Sequence, residues 1–152
     1  MKKMNSKKRK KQSVNPPLEY VAQRYERFHK TLSLKEVLPF ISKDGRRREK
    51  NYYGNKVKMF SLRLRTFALH GTCCVTCGIC GEFFALEKHL STSHYEDKQR
   101  YHFNLYARNK EGEEVLLTKD HILPKSKGGA DSLDNMQPMC IICNNKKGDN
   151  LP

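Results

Sequence analysis

The sequence predicts an α+β fold: a small domain of short strands and one closing helix, stapled through cysteines, behind a basic helical N-terminal region. Three observations carry this. The charge is split along the chain, with 20 Lys and Arg against 5 Asp and Glu in residues 1–70 and near balance afterwards. Two cysteine groups, at 73–80 and 140–143, bracket a stretch of alternating apolar residues. Apolar residues make up only 37% of the chain and Trp is absent, so a small core needs a cross-link to hold it.

The net charge of +14 lies entirely in the first half. A field of that sign selects a polyanionic partner, and nucleic acid is the commonest. No apolar run reaches the length of a membrane span, so no membrane partner is expected. The N-terminus MKKMNSKKRKKQ is basic but has no apolar core of a secretory signal. The expectation is therefore a cytoplasmic protein in a reducing compartment, where six cysteines serve as metal ligands in preference to disulfides.

Residues 1–17 read as a basic disordered tail ending at Pro16-Pro17. Residues 18–70 read as a basic helical region that contacts nucleic acid. Its first helix is expected from Leu18 to about Leu32, with Tyr20, Val21, Tyr25 and Phe28 on one face. Ser33-x-x-Glu36 is a capping box for a short second helix, which Pro39 stops. Residues 42–55 are polar and basic and read as a loop. Arg46, Arg47 and Arg48, with Tyr52 and Tyr53 close by, mix cations and aromatics as nucleic-acid-contacting loops do. A third helix is expected over Lys56–His70, stopped by Gly71.

Residues 71–150 form the second unit. Phe83–Glu87 reads as a strand. Tyr101–Arg108 and Glu114–His121 read as a hairpin around a turn at Asn109–Gly112. A loop over Pro124–Asp134 contains Gly128-Gly129. Met136–Met139 is a short strand, and Cys140 opens a helix to about Lys147.

Cys140 and Cys143 need two further ligands to close a tetrahedral zinc site, and the upstream group supplies them. Cys74/Cys77 and Cys77/Cys80 are overlapping candidate pairs, each followed by a glycine. The first leaves Gly78–Glu82 as a turn before the strand and is preferred on that ground, with Cys73 and Cys80 as spare thiols. A two-Cys, two-His finger built on Cys74, Cys77, His89 and His94 has the wrong spacing and strands the downstream pair.

Asp120 and Asn144 offer oxygen donors suited to a hard cation, Mg2+ or Mn2+. Asn144 directly follows Cys143, so the zinc site would fix its place. His121 sits at the same strand end and is the natural general base near neutral pH. Asn135 is placed to hold its ring.

These residues, in the runs CVTCGICGEFFALE, HFNLYARN, EVLLTKDHILPKSKGG, DNMQPMC and CNNKKG, resemble the HNH (ββα-metal) endonuclease family, and in particular zinc-stabilised members common in bacteriophages. The resemblance spans about residues 56–149. It implies a ββα-metal nuclease domain, a single catalytic Mg2+ on Asp120 and Asn144, His121 as general base and Asn135 as its orienter. It also implies structural zinc on Cys74, Cys77, Cys140 and Cys143. Asn144 stands where the family name has its second His, and Cys80 lies outside the usual pattern. The implied activity is metal-dependent hydrolysis of DNA phosphodiesters, with Lys125 and Lys127 on phosphates beside the cut. The rival is a zinc-dependent nucleic-acid-binding protein without catalysis, and monomer and homodimer both stay open.

Overall fold

The computed structural model describes residues 25–90 and 100–151. The basic tail, the beginning of the helix expected from Leu18, and His94 lie outside the described residues. Strand β1 (Tyr25–Ser33) leads into a short helix α1 (Leu34–Val37), and a hairpin β2 (Glu49–Tyr52) and β3 (Asn55–Lys58) follows. Helix α2 (Leu62–His70) precedes β4 (Phe83–His89), β5 (His102–Arg108), β6 (Glu114–His121), β7 (Met136–Cys140) and helix α3 (Ile141–Lys147). The main sheet is antiparallel, in the order β1-β4-β5-β6-β7. No described helix is long and apolar enough to cross a membrane.

Strand β1 corrects the helix expected through this segment. Its inward residues, Phe28 and Leu32, stand four apart, a spacing that suits a strand as well as a helix. A register shift between Arg27 and Thr31 breaks the strict alternation that would have marked a strand. Polar pairing across the sheet decides the outcome. Glu87 on β4 is buried and accepts from Arg27 Nε at 3.0 Å, Asn104 Nδ2 at 2.9 Å and Tyr106 Oη at 2.6 Å. Arg27 also reaches Glu114 on β6 at 2.8 Å, so one guanidinium ties β1 to two other strands. A buried carboxylate left without these donors would be costly.

The second correction is the β2–β3 hairpin, where a loop and the start of a helix were expected. Asn55–Lys58 pairs with Glu49–Tyr52, and Val57 is fully buried. The following helix starts late because Ser61 caps it, its Oγ accepting from Leu64 N at 3.2 Å. Its end is as expected: Gly71 N donates to Phe67 O at 3.1 Å, with φ of 94°. The Ser33-x-x-Glu36 box also forms, Glu36 accepting from the Ser33 amide at 2.7 Å and hydroxyl at 2.9 Å.

The principal core lies on one face of the sheet, where Phe84, Leu86, Phe103, Leu105 and Leu117 meet Val57, Leu64 and Phe67. A smaller cluster on the other face joins Phe83, Ala85, Tyr106 and Leu116 to Ile141 of α3. Strand β4 is apolar at successive positions because both of its faces are covered. Each of the Val, Leu, Ile and Phe side chains among these contributes roughly 1.5–3 kcal/mol if fully removed from water. Together the two clusters fix β6 and α3, the elements that carry the site.

Candidate functional site

The cysteine centre comes first because it sets the position of α3. The Sγ atoms of Cys74, Cys77, Cys140 and Cys143 all lie within 4.8 Å of one another. Cys77 and Cys140 are 3.8 Å apart, which matches the edge of about 3.8 Å expected of a tetrahedron with zinc–sulfur arms of about 2.3 Å. The donor set also suits a cation. Burial pushes the Cys143 thiol up, and Cys140 and Cys77 beside it push the same way. Burial raises Cys140 as well. Cys74 goes down to about 7; burial opposes this, and backbone N–H groups of Cys77, Cys140 and Thr76 outweigh it. A cluster that resists full ionisation alone is one that zinc stabilises by binding its thiolates.

Gly78 makes the knuckle turn, with φ of 78° and its N–H on Cys74 O at 2.9 Å. Gly81 has a different duty: a Cβ there would fall 2.6 Å from Leu105. The turn assigns Cys74 and Cys77 to the centre and brings the flanking residues Cys73 and Cys80 together. These two, expected as spare thiols, form a disulfide with Cα atoms 3.9 Å apart. Their backbones meet as an antiparallel bridge, with Cys74 N on Ile79 O and Gly81 N on Thr72 O, which presents the two sulfurs to each other.

Asp120 and His121 end β6, opposite Gln137 and Met136 of β7. Asp120 is buried, and its Oδ2 accepts from Lys147 Nζ at 2.8 Å and Gln137 Nε2 at 2.9 Å. Lys147 also donates to His121 O at 2.8 Å, so α3 is pinned to the end of β6 by its last turn. Asn144 is oriented by a chain of donors. The Thr118 hydroxyl donates to Met139 O at 2.8 Å, so its oxygen accepts from Asn144 Nδ2, also at 2.8 Å. The Asn144 amide nitrogen is thereby committed and its Oδ1 is the oxygen left to ligate. Asp120, His121, Lys125 and Asn144 line one cavity of about 410 Å3, with Pro124, Asn145, Gly148 and Asp149 completing the wall.

The loop after β6 is built from its glycines and Asn135. Gly128 turns at φ of 89°, and a Cβ on Gly129 would sit 1.7 Å from Leu123 O, so only glycine fits there. Asn135 Oδ1 accepts from Leu123 N at 2.8 Å, and its Nδ2 donates to Leu123 O and Ala130 O, both at 3.0 Å. Asn135 thus spends its side-chain hydrogen bonds on loop backbone and not on the His121 ring, which it had been expected to hold. The ring meets Asp131 instead, Nε2 to Oδ1 at 2.6 Å. Lys125 holds the other carboxylate oxygen at 2.6 Å.

Of the expected nucleic-acid contacts, Lys125 is therefore engaged by Asp131, while Lys127 is exposed on the same short turn. Arg46, Arg47 and Arg48 are exposed, outside the lining of the His121 cavity, and Arg46 and Arg48 share Asp44 at 3.4 and 3.2 Å. Sequence reasoning missed Asp131 and Lys147. Asp131, two residues past the Gly-Gly pair, and Lys147, three residues past Asn144 on a helix, were the available signals.

A hairpin ending in Asp-His, a clasped loop, and a helix returning an Asn to that strand end make a strand-strand-helix arrangement around one cavity. Residues 107–150 match the HNH endonuclease family. No match to a curated protein or to a solved structure was found. The matched segment is similar to HNH domains, which points to nuclease-type activity. The fold is mixed α and β, and the cluster of Cys74, Cys77, Cys140 and Cys143, two of them outside the matched residues, is compatible with zinc.

Proposed function

We propose that this protein is a divalent-metal-dependent DNA endonuclease. The observation that carries the reading is the convergence of Asp120, His121 and Asn144 on one cavity, from a strand and a helix pinned together by Lys147. In this reading His121 takes a proton from a water whose oxygen attacks phosphorus. The bond from phosphorus to the 3′ oxygen breaks, and that oxygen takes a proton from solvent, leaving 5′-phosphate and 3′-hydroxyl ends. Asp120 and Asn144 would hold one Mg2+ or Mn2+, a fit supported by their hard oxygen donors; when bound, the ion offsets negative charge on the phosphate oxygens. Zinc on the four cysteines would be structural. The basic half, with its tail and the exposed Arg47, would supply affinity for the DNA backbone, and Lys127 would act beside the cut.

The test is cleavage of supercoiled plasmid by purified protein with Mg2+ or Mn2+, against EDTA. His121→Ala should lower nicking by about a hundredfold or more, the scale of a general base, and leave DNA affinity within about twofold. Full nicking by the variant would overturn the mechanism. DNA binding without metal-dependent cutting by the unaltered protein would establish the non-catalytic zinc protein instead.

A further inference from the structure

We propose that Asp131 is the positioning residue of His121, holding the imidazole with its proton on Nε2 and leaving Nδ1 to receive a proton from water. The role in catalysis rests on the nuclease reading above; the contact itself rests on geometry. An ionised carboxylate only accepts hydrogen bonds. The 2.6 Å approach of Asp131 Oδ1 to Nε2 therefore makes that nitrogen the donor. A neutral ring protonated at Nε2 has its lone pair at Nδ1.

Three features make this contact a built one. Lys125 Nζ sits 2.6 Å from Asp131 Oδ2, so both carboxylate oxygens are taken and the group's rotation is fixed. Lys125 first, and His121 after it, hold the Asp131 carboxyl down to about 2, so it is ionised near neutral pH. The backbone before Asp131 is also held, because Asn135 donates to Ala130 O at 3.0 Å. Asn135 has spent its side-chain oxygen on Leu123 N and its nitrogen on two carbonyls. It acts on His121 at one remove, by placing the loop that delivers Asp131.

The experiment uses the full-length, zinc-loaded protein and the variants Asp131→Ala, Asp131→Asn and Lys125→Met. With 15N-labelled histidine at about pH 8, where an ordinary imidazole is neutral, long-range proton–nitrogen spectra report each ring's tautomer. The spectrum of His121→Gln assigns the His121 signals by their loss. His121 should be the Nε2–H tautomer in the unaltered protein and a mixture of tautomers in Asp131→Ala. In Mg2+-dependent nicking, Asp131→Ala should lower kcat by about 10–100-fold, the usual cost of losing a residue that orients a functional histidine, with KM within about threefold. Asp131→Asn keeps one accepting oxygen where Lys125 and the ring both donate. With Oδ1 on Lys125 its Nδ2 faces the ring, so the variant should move His121 to the Nδ1–H tautomer and lower kcat at least as far as Asp131→Ala. Lys125→Met should keep the tautomer and shift KM more than kcat. Unchanged His121 nitrogen shifts in Asp131→Ala, or an unchanged kcat, would overturn the proposal. If the unaltered protein cuts no DNA, the nuclease reading fails, and the nitrogen spectra alone then decide the Asp131–His121 contact.

Discussion

Replacing Cys74 by Ser should remove the metal and the fold together, whereas replacing Cys80 by Ser should remove neither. The four clustered thiols join residues 74–77 to residues 140–143, so the centre ties α3 and β7 to the start of the sheet. Binding of a structural zinc of this kind is worth about 10–16 kcal/mol, as much as or more than the roughly 5–15 kcal/mol by which domains are stable. Three sulfurs and a hydroxyl hold zinc far less tightly, and Cys74 is itself a core residue, 2% exposed. Cys74→Ser should therefore show no cooperative thermal transition. Cys80 contributes differently, through its disulfide with Cys73 at a sequence separation of 7. Closing so short a loop is worth about 2.5 kcal/mol in the chain-entropy account, and only under oxidising conditions. The assay is zinc content by mass spectrometry and thermal melting by circular dichroism on the same samples, with and without reductant. Cys80→Ser should carry one zinc per chain and, in reductant, melt with the unaltered protein. A Cys74→Ser protein that kept its zinc and its melting temperature would refute the assignment of the centre.

Three further outcomes follow from the geometry. Lys147→Met leaves the buried Asp120 carboxylate without its cation and should cost about 3 kcal/mol of stability, the low end for a broken buried pair because the site opens on a cavity; denaturant titration with and without Mg2+ should show the loss shrinking when the ion is present. Gly129→Ala forces a Cβ to within 1.7 Å of Leu123 O, so the loop must open. Its melting temperature and its nicking rate should both fall, and an unchanged rate would mean that the clasped loop plays no part in cleavage. Burial pushes His102 down to about 4, helped by Arg63 and His89 nearby. A base depressed in the folded state gives stability that is full above its unfolded pKa of about 6.5 and is lost as pH falls towards 4. The loss is on the order of 3 kcal/mol at about 1.4 kcal/mol per unit, and His102→Gln should flatten the acid limb of the stability curve.

The features legible in the sequence are those set by local pattern. The hairpin of β5 and β6 has alternating residues and an Asn109–Gly112 turn, in which Asn109 Oδ1 accepts from the Glu111 and Glu113 amides. The knuckle at Cys74–Cys77 and the late helix opened by Cys140 follow from spacing and glycine. What stayed hidden depends on partners distant in the chain. Nothing near Arg27 announces that Glu87 and Glu114 await it, so a spacing of three and four suggested a helix. The β2–β3 hairpin turns through Tyr53, a non-glycine residue at φ of 54°, and so lacks the usual turn signature. Asp131 looked like one acid in a polar loop, because its reach to His121 depends on how Gly128 and Gly129 fold that loop back. The Cys73–Cys80 pairing was obscured by the expectation of a reducing compartment, which weighs against any disulfide before geometry is considered.

Strand β1 belongs to the basic half of the chain yet completes the outer border of the sheet that contains the HNH strands. A fragment cut between the halves, after Gly71 for instance, would leave β4 with a row of free amide and carbonyl groups along seven residues that are mostly apolar. Such a border attracts any extended segment, including one from a second copy. By covering β4, strand β1 also shields the sheet from self-association, and a recombination event or expression boundary that separates it from the segment similar to HNH domains must bring a replacement strand to keep the remainder in solution.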